Sequence, residues 1–378
     1  MRLISFVVPA RNEQKSLPFV LNEIKETITA NSLNAEIIVA DNQSHDATAQ
    51  IAADYGATVI NVAAIGYGSA LAAGFAAARG EYIIMGDADG SYDFHDTPKI
   101  LQQLDAGSDM AVGNRFGGNF NNDSMPLINR YIGNPILTFL GKFVFAVPIN
   151  DFHCGLRGFK REHLQALALQ TKGMEFASEM IVSARLNNLK ITEFNTTLRK
   201  DLRDGKSHLD PWRDGWRHLF FIIFATPHFI FLKYSVPLYI LTTICFASIY
   251  FSDIELFGIT FSNLTLFYLQ FPMIFSFILI LSACVTSTIE SPRRQVQSRL
   301  MKTLSRFDFR IGFLSSLFLL SLALYLTYTS LNFWGSNSYG KINSLVIIKD
   351  VILSSALFLK SITLGCFSLL IGYLYQSK

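Results

Sequence analysis

A chain of 378 residues with a formal charge of only +3 is long enough for two or three domains and too nearly neutral for a basic nucleic-acid binder. Its four cysteines offer neither a disulfide framework nor metal-ligand spacing, since Cys154 stands apart from Cys245, Cys284 and Cys366 in the apolar C-terminal stretches. Half of the residues are hydrophobic, but unevenly so: up to about residue 210 apolar runs alternate with charges, Gly and Asn, and beyond 233 long Phe/Leu/Ile stretches follow one another.

The first apolar run, 3–8, is short and leads directly into Pro9, Arg11, Asn12 and Glu13, which reads as a strand and not as the core of a signal peptide. Further short runs at 36–40, 57–62, 81–85 and 109–112 alternate with helical segments at 14–29, 46–55 and the Ala-rich 69–79. That alternation predicts an α/β domain over 1–210 with a Rossmann-like, mostly parallel sheet. In such sheets the ligand lies outside the C-terminal strand ends. Four polar or Gly-rich loops fall there: "PARNE", "ADNQSHDAT", "AAIGYGSA" and "GDADG".

The loop residues suit a nucleotide diphosphate. Asp41, at a strand end, is placed either to accept from a ring N–H of a base or to cap a turn. Gly66 and Gly68, ahead of a helix, either bring backbone N–H groups to phosphates or permit a tight turn, and their spacing fails the GxGxxG pattern of dinucleotide enzymes. Asp87, Asp89 and Asp93 crowd into seven positions of "IIMGDADGSYDF". Carboxylates that close repel unless a cation or donor network shares their charge. Asp87 and Asp89 have the form of a Mg2+ or Mn2+ site completed by phosphate oxygens, against the plainer reading of a solvated, helix-capping turn.

Farther along, "PWRDGWRHLFFIIF" sets Trp212, Trp216, Leu219 and Ile223 at helical spacing beside Arg213 and Arg217, the pattern of a helix in the lipid headgroup layer. Residues 211–232 are therefore assigned to interfacial amphipathic helices, with 219–232 alternatively a fifth span. A transmembrane domain, 233–378, follows, with four spans near 234–251, 264–288, 311–331 and 351–373. No acid or base inside these spans is expected to mark an ion pathway. The loop between the second and third spans carries Arg293, Arg294, Arg299, Lys302, Arg306 and Arg310, whereas 252–263 has no Lys or Arg. The positive-inside rule thus puts the basic loop, and with an even span count the N-terminal domain, on the cytoplasmic face of the plasma (inner) membrane.

Taken together, "VVPARNE", "ADNQSHDAT", "GYGSALAAG", "DADG", "VGNRF", "DFHCGLRGFKRE" and "GMEFASEM" resemble family 2 glycosyltransferases of the GT-A fold. More narrowly, the chain is similar to polyprenyl-phosphate glycosyltransferases, the group of dolichyl-phosphate mannose and glucose synthases. The resemblance covers residues 1 to about 220. It implies Pro9, Ala10, Glu13 and Asp41 around the nucleoside, Gly66 and Gly68 beside the donor, and Asn42 in place of a second acid. It further implies Asp89 on the metal with Asp87 on the metal or donor sugar, and Arg115 and Arg157 as cations near the reacting groups. Glu179 or Glu175 would lie below the sugar. In "RKDLRDGKSHL" the arrangement departs from the family's Arg-then-Gly-x-Ser-Lys segment, leaving Arg199, Arg203, Lys206 and Ser207 as candidates for the acceptor phosphate.

The expected reaction is inverting transfer of a hexose from a nucleotide sugar, UDP preferred over GDP, to undecaprenyl or dolichyl phosphate in the bilayer, for a cell envelope glycan. A phosphate monoester ionises with a second pKa of about 6, so no strong general base is required. A hydroxyl acceptor would need one, with Glu175, Glu179 or Asp151 available. A processive polysaccharide synthase is disfavoured because no Q-x-x-R-W sequence occurs. A nucleotide-sensing membrane protein without catalysis, and assembly into homo-oligomers, stay open.

Overall fold

The computed structural model describes residues 2–117, 127–203, 211–225, 231–290, 308–336 and 345–376. The chain divides into two compact units, Met1–Ala225 and Thr226–Lys378.

The first unit is built on a seven-stranded sheet of order β3-β2-β1-β4-β6-β5-β7. Its strands are β1 (Leu3–Ala10), β2 (Asn34–Asp41), β3 (Thr58–Asn61), β4 (Tyr82–Met85), β5 (Met110–Asn114), β6 (Arg157–Lys160) and β7 (Ile191–Asn195). The expected strands are all present and parallel. The reading missed β6, which runs antiparallel between β4 and β5, and β7. β1 and β4 are buried along nearly their whole length, with Phe6, Val7, Val8, Ile83, Ile84 and Met85 fully enclosed. Continuous apolar runs rather than alternation follow from helices covering both faces.

Helices α1 (Leu17–Ala30), α2 (Thr48–Asp54), α3 (Tyr67–Ala77) and α4 (Thr97–Asp105) connect the early strands; α5 (Asn134–Phe145), α6 (Leu164–Leu167), α7 (Phe176–Leu186) and α8 (Pro211–Ala225) follow. α3 is small-residue-rich because it lies close on the sheet: a Cβ added at Gly74 would stand 2.4 Å from Val7 Cγ1. β1 pairs with β2 on one side and β4 on the other. The chain order reverses there, and the crevice outside those two strand ends is the fold's binding position.

The second unit contains α9 (Ser235–Phe251), a two-stranded hairpin of β8 (Ile254–Leu256) and β9 (Ile259–Phe261), α10 (Asn263–Glu290), α11 (Phe309–Ser336) and α12 (Leu345–Gln376). Three helices are long and apolar enough to cross a membrane, over Asn263–Thr286, Phe309–Ser336 and Ile347–Leu374. The first expected span is the shorter α9, whose 17 residues reach about 26 Å against a hydrocarbon core of about 30 Å. Lys360 lies at the middle of Ile347–Leu374, its Nζ 3.3 Å from Tyr239 Oη and 5.0 Å from the ring centroid. Near one end of that helix Lys349 donates to Asp253 Oδ1 at 2.8 Å and Ile249 O at 2.9 Å.

Candidate active site

The four loops converge at the C-terminal strand ends and tie one another down. Asn12, held at a positive φ of 55°, accepts from His45 N–H and its own N–H donates to Ser44 Oγ, joining the loops after β1 and β2. Asn42, where the family pattern has an acid, pins the third loop: its Nδ2 donates to Ala64 O and its Oδ1 accepts from Gly66 N–H, both at 2.8 Å. Between the loops opens a cavity of about 580 Å³. Pro9, Ala10, Arg11, Glu13, Asp87 and Asp89 line its strand-end side; Lys172, Glu175, Arg203, Arg213 and Arg217 line the rest.

Asp87 sits directly after β4 in contact with Tyr67, whose hydroxyl donates to Asp87 Oδ1 at 3.0 Å. Burial, and then the neighbouring Asp89 charge, push its carboxyl up to about 7. Asp89 accepts from Ser91 N–H and Oγ–H at 3.0 and 2.6 Å. Arg203 bridges the acids, with Nε 2.5 Å from Glu13 Oε1 and Nη2 3.5 Å from Asp89 Oδ2. Burial alone would lower the Arg203 guanidinium, but Asp89 and Glu13 hold it above its ordinary value. Burial likewise raises Glu13. Asp87 and Asp89, the first of them resisting ionisation, offer the oxygen donors a divalent cation takes, whereas Glu13 is engaged by Arg203 and by Ser16 Oγ–H at 2.6 Å.

The third aspartate of the run goes elsewhere. Asp93 caps the turn Phe94–Asp96, accepting from His95 N–H at 3.0 Å. Glu23, Asp93 and His95 do approach closely enough to share an ion. However, Glu23 is already engaged by Arg199 at 2.8 Å and by Phe94 N–H at 2.5 Å.

The remaining expected residues separate into those facing the cavity and those supporting it. Gly66 and Gly68 do not present free N–H groups to phosphates: Gly66 N–H is held by Asn42, and Gly68 N–H donates to Lys172 O at 3.0 Å. Their glycine requirement comes from close approach, since a Cβ would lie 2.1 Å from Lys172 O at Gly66 and 2.4 Å from Thr171 O at Gly68. Glu179 accepts from Gln170 N–H, Thr171 N–H and Thr171 Oγ–H, so it holds this same 170–173 segment from beneath. Glu175 is the acid in the cavity wall, and its buried Oε2 has no hydrogen-bond partner among the described residues. Asp41 accepts from Ser44 N–H through Oδ2, while its buried Oδ1 is unpartnered among the described residues.

Two expected cations are corrected to structural roles. Arg157, fully buried on β6, donates to Cys154 O, Ala177 O and Phe152 O at 2.7, 2.6 and 3.1 Å. Arg115 forms a two-pronged pair with Asp151, Nε to Oδ2 at 2.6 Å and Nη2 to Oδ1 at 2.8 Å. That pairing also occupies Asp151. Arg199 turns to Glu23 and Tyr92 O. Lys206 and Ser207 lie outside the described residues.

The sequence reading overlooked Tyr67, Arg11 and Lys172. An aromatic residue between two glycines was the available signal for Tyr67; nothing in the sequence marked Lys172. Arg213 and Arg217, expected only as headgroup anchors, are in the cavity wall. α8 is fastened there by His218 on its inner side, whose Nδ1 is 2.7 Å from Ser178 Oγ on α7. Burial, and then Arg157, hold His218 down at about 4, neutral at physiological pH.

Residues 5–168 match the family model described as glycosyl transferase family 2. The low-salt glycan biosynthesis hexosyltransferase Agl6 of Haloferax volcanii is 38% identical over 225 residues, 59% of this chain and 54% of that protein. The chain therefore spans about half the length of that relative. An uncharacterized glycosyltransferase of Mycobacterium tuberculosis is 32% identical, matching 51% of this chain and 84% of that protein. A dolichyl-phosphate hexose transferase of H. volcanii is 29% identical, over 56% of this chain and 89% of that protein. Among solved structures, glucosyl-3-phosphoglycerate synthase from M. tuberculosis, in complex with Mn2+, UDP-glucose and phosphoglyceric acid, aligns with a TM-score of 0.48 at 20% identity. That alignment covers 59% of this chain and 79% of the other.

Proposed function

Given that the chain belongs to glycosyl transferase family 2, we propose that it transfers a hexose, with inversion, from a UDP-sugar or GDP-sugar to a polyprenyl phosphate. The observation that carries this reading is the cavity at the sheet's switch point, lined by Asp87 and Asp89 together with Arg11, Arg203, Arg213 and Arg217, in a chain that also holds three apolar membrane-length helices. The relative named for dolichyl phosphate supports the acceptor class.

In this reading Asp87 and Asp89 would hold Mg2+ or Mn2+, which when bound supplies positive charge to the departing diphosphate, and Glu13 positions Arg203. The unpartnered Oδ1 of Asp41 accepts from the base. A phosphate oxygen of the acceptor attacks the anomeric carbon, and the bond from that carbon to the diphosphate oxygen breaks with its electron pair leaving on the nucleotide. The acceptor carries no proton that must be removed at neutral pH. The protein's part is placement and charge: Arg203, Arg213 and Arg217 hold the anionic partners, and the 170–173 segment closes one wall. One observation favours a hydroxyl acceptor instead. Glu175 Oε2, unpartnered in the cavity wall, is chemically able to take a proton.

The catalytic unit is placed on the cytoplasmic face, supported by the six basic residues among 291–310. This requires α9 to cross despite its length. The test is transfer by full-length protein with undecaprenyl phosphate, UDP- and GDP-sugars, and Mg2+ or Mn2+ against chelator. An organic-soluble sugar lipid, lost with chelator and in Asp89→Asn, is expected. Donor turnover onto hydroxyl acceptors alone would overturn the lipid-phosphate reading.

A further inference from the structure

α5 is apolar on two opposite sides. Leu137, Gly141, Val144 and Phe145 are buried, with Gly141 close enough to Phe152 that a Cβ would stand 2.7 Å from its ring. On the other side Ile132 in the preceding turn, Ile136, Phe139 and Phe143 recur at i, i+4, i+7 and i+11, a single stripe of the helix. These four are 54, 53, 66 and 52% exposed, and the Phe139 and Phe143 rings stack at 6.2 Å. A soluble helix normally turns charges outward here.

The neighbouring α8 repeats the arrangement. It packs against α5 and α7, and Asp214, His218 and Ile222 are buried at i, i+4 and i+8, while Trp212, Trp216 and Phe220 are exposed at the same spacing. Trp216 and Phe220 stack at 5.6 Å. Arg130, Lys142, Arg213 and Arg217 lie on these two segments. An apolar surface of this extent is rare on a protein facing water.

We propose that the outward stripe of α5 is a second membrane-contacting surface of the catalytic unit, seated with the Trp212/Trp216/Phe220 face of α8 in the headgroup layer of the bilayer. Three observations commit the occupant to lipid. The stripe lies on a helix packed against the Trp-bearing amphipathic helix α8, and large aromatic residues on segments that also carry Arg and Lys match the chemistry of the headgroup region. The same chain carries three membrane-length helices. Only nine residues, 226–234, separate α8 from α9, a reach of at most about 30 Å. This inference does not depend on the proposed reaction, only on the chain residing in a membrane.

The experiment uses full-length protein in phosphatidylcholine–phosphatidylglycerol vesicles. The native tryptophans are replaced (Trp212→Phe, Trp216→Phe, Trp334→Phe) and one reporter is introduced, Phe139→Trp or, on the water-facing side of α4, Gln102→Trp. Brominated acyl chains are expected to remove most of the emission at position 139, maximally for bromines about 5–10 Å below the headgroups. Aqueous iodide should quench only position 102. Phe143→Trp serves as a second reporter of the same stripe should position 139 disturb folding. Equal iodide quenching at 139, 143 and 102 would overturn the proposal. So would insensitivity of 139 and 143 to both quenchers, which would mean that protein, such as a second copy of the chain, covers the stripe.

Discussion

The substitution Asp87→Asn probes the charge state on which the proposed site depends. Asp87 is pushed from an ordinary value of 3.8 to about 7 by burial and then by Asp89. At 1.36 kcal/mol per pH unit, ionising it in the folded protein costs about 4 kcal/mol. The sign follows from the folded value lying above the unfolded one. The protonated carboxyl favours the fold fully below about pH 4, and that contribution is lost progressively as pH rises to about 7. For a unit of this size 1 kcal/mol corresponds to about 2–4 °C, so the wild-type melting temperature should fall by about 8–16 °C over this range in chelator. Asparagine keeps an oxygen for the Tyr67 hydroxyl but cannot ionise, so Asp87→Asn should show a flatter profile and exceed the wild type above pH 7. Mn2+ should then raise the wild type at pH 8, little at pH 5, and the variant at neither. The assay is thermal unfolding of full-length protein in detergent across pH 4–8, with and without metal. Parallel wild-type and variant profiles would refute the reasoning, because they would mean that other groups already compensate the Asp87 charge.

Arg157→Met should fail at folding rather than at chemistry. It abandons three buried main-chain carbonyls, at about 1–3 kcal/mol each, so monodisperse protein should be lost on size-exclusion chromatography; a well-folded but inactive variant would return Arg157 to the reaction. Glu179→Gln places an amide N–H2 among the donors of Gln170 and Thr171, and should raise the donor KM about tenfold by loosening the 170–173 wall, with a smaller change in kcat. A kcat loss at unchanged KM would indicate direct contact with the transition state. Lys360→Met should leave the melting temperature in detergent unlowered: a lysine at mid-bilayer costs about 2.5–3.5 kcal/mol on insertion scales, and its Tyr239 contact returns about 0.5–2. A drop of several degrees would mark the Lys360–Tyr239 pair as a required joint of the helices.

Local pattern was enough for the alternating strands, the membrane-length helices and the loops that gather at one sheet edge, because each depends on residues near in sequence. Apolar runs of four to eight residues, flanked by Gly, Pro and Asn, declare a buried strand wherever it lies, and Asp87 and Asp89 declare a charge problem by adjacency alone. The antiparallel β6 was hidden because its partners β4 and β5 lie more than 40 residues earlier, and strand direction is a property of pairing. Side-chain assignments failed for the same reason. Arg157 and Arg115 look equally available in the sequence, yet one is enclosed by carbonyls and the other by Asp151. Gly66 and Gly68 could be read as a phosphate cradle or a tight turn until the fold gave the Gly66 N–H to Asn42 Oδ1 and brought Lys172 O, from about a hundred residues away, onto the Gly68 N–H. Residue type and spacing thus determined which chemistry the chain carries and where along it. Which charge faces the cavity and which is taken up by the scaffold was decided only by tertiary structure, because a buried donor must satisfy whatever acceptor the fold places beside it.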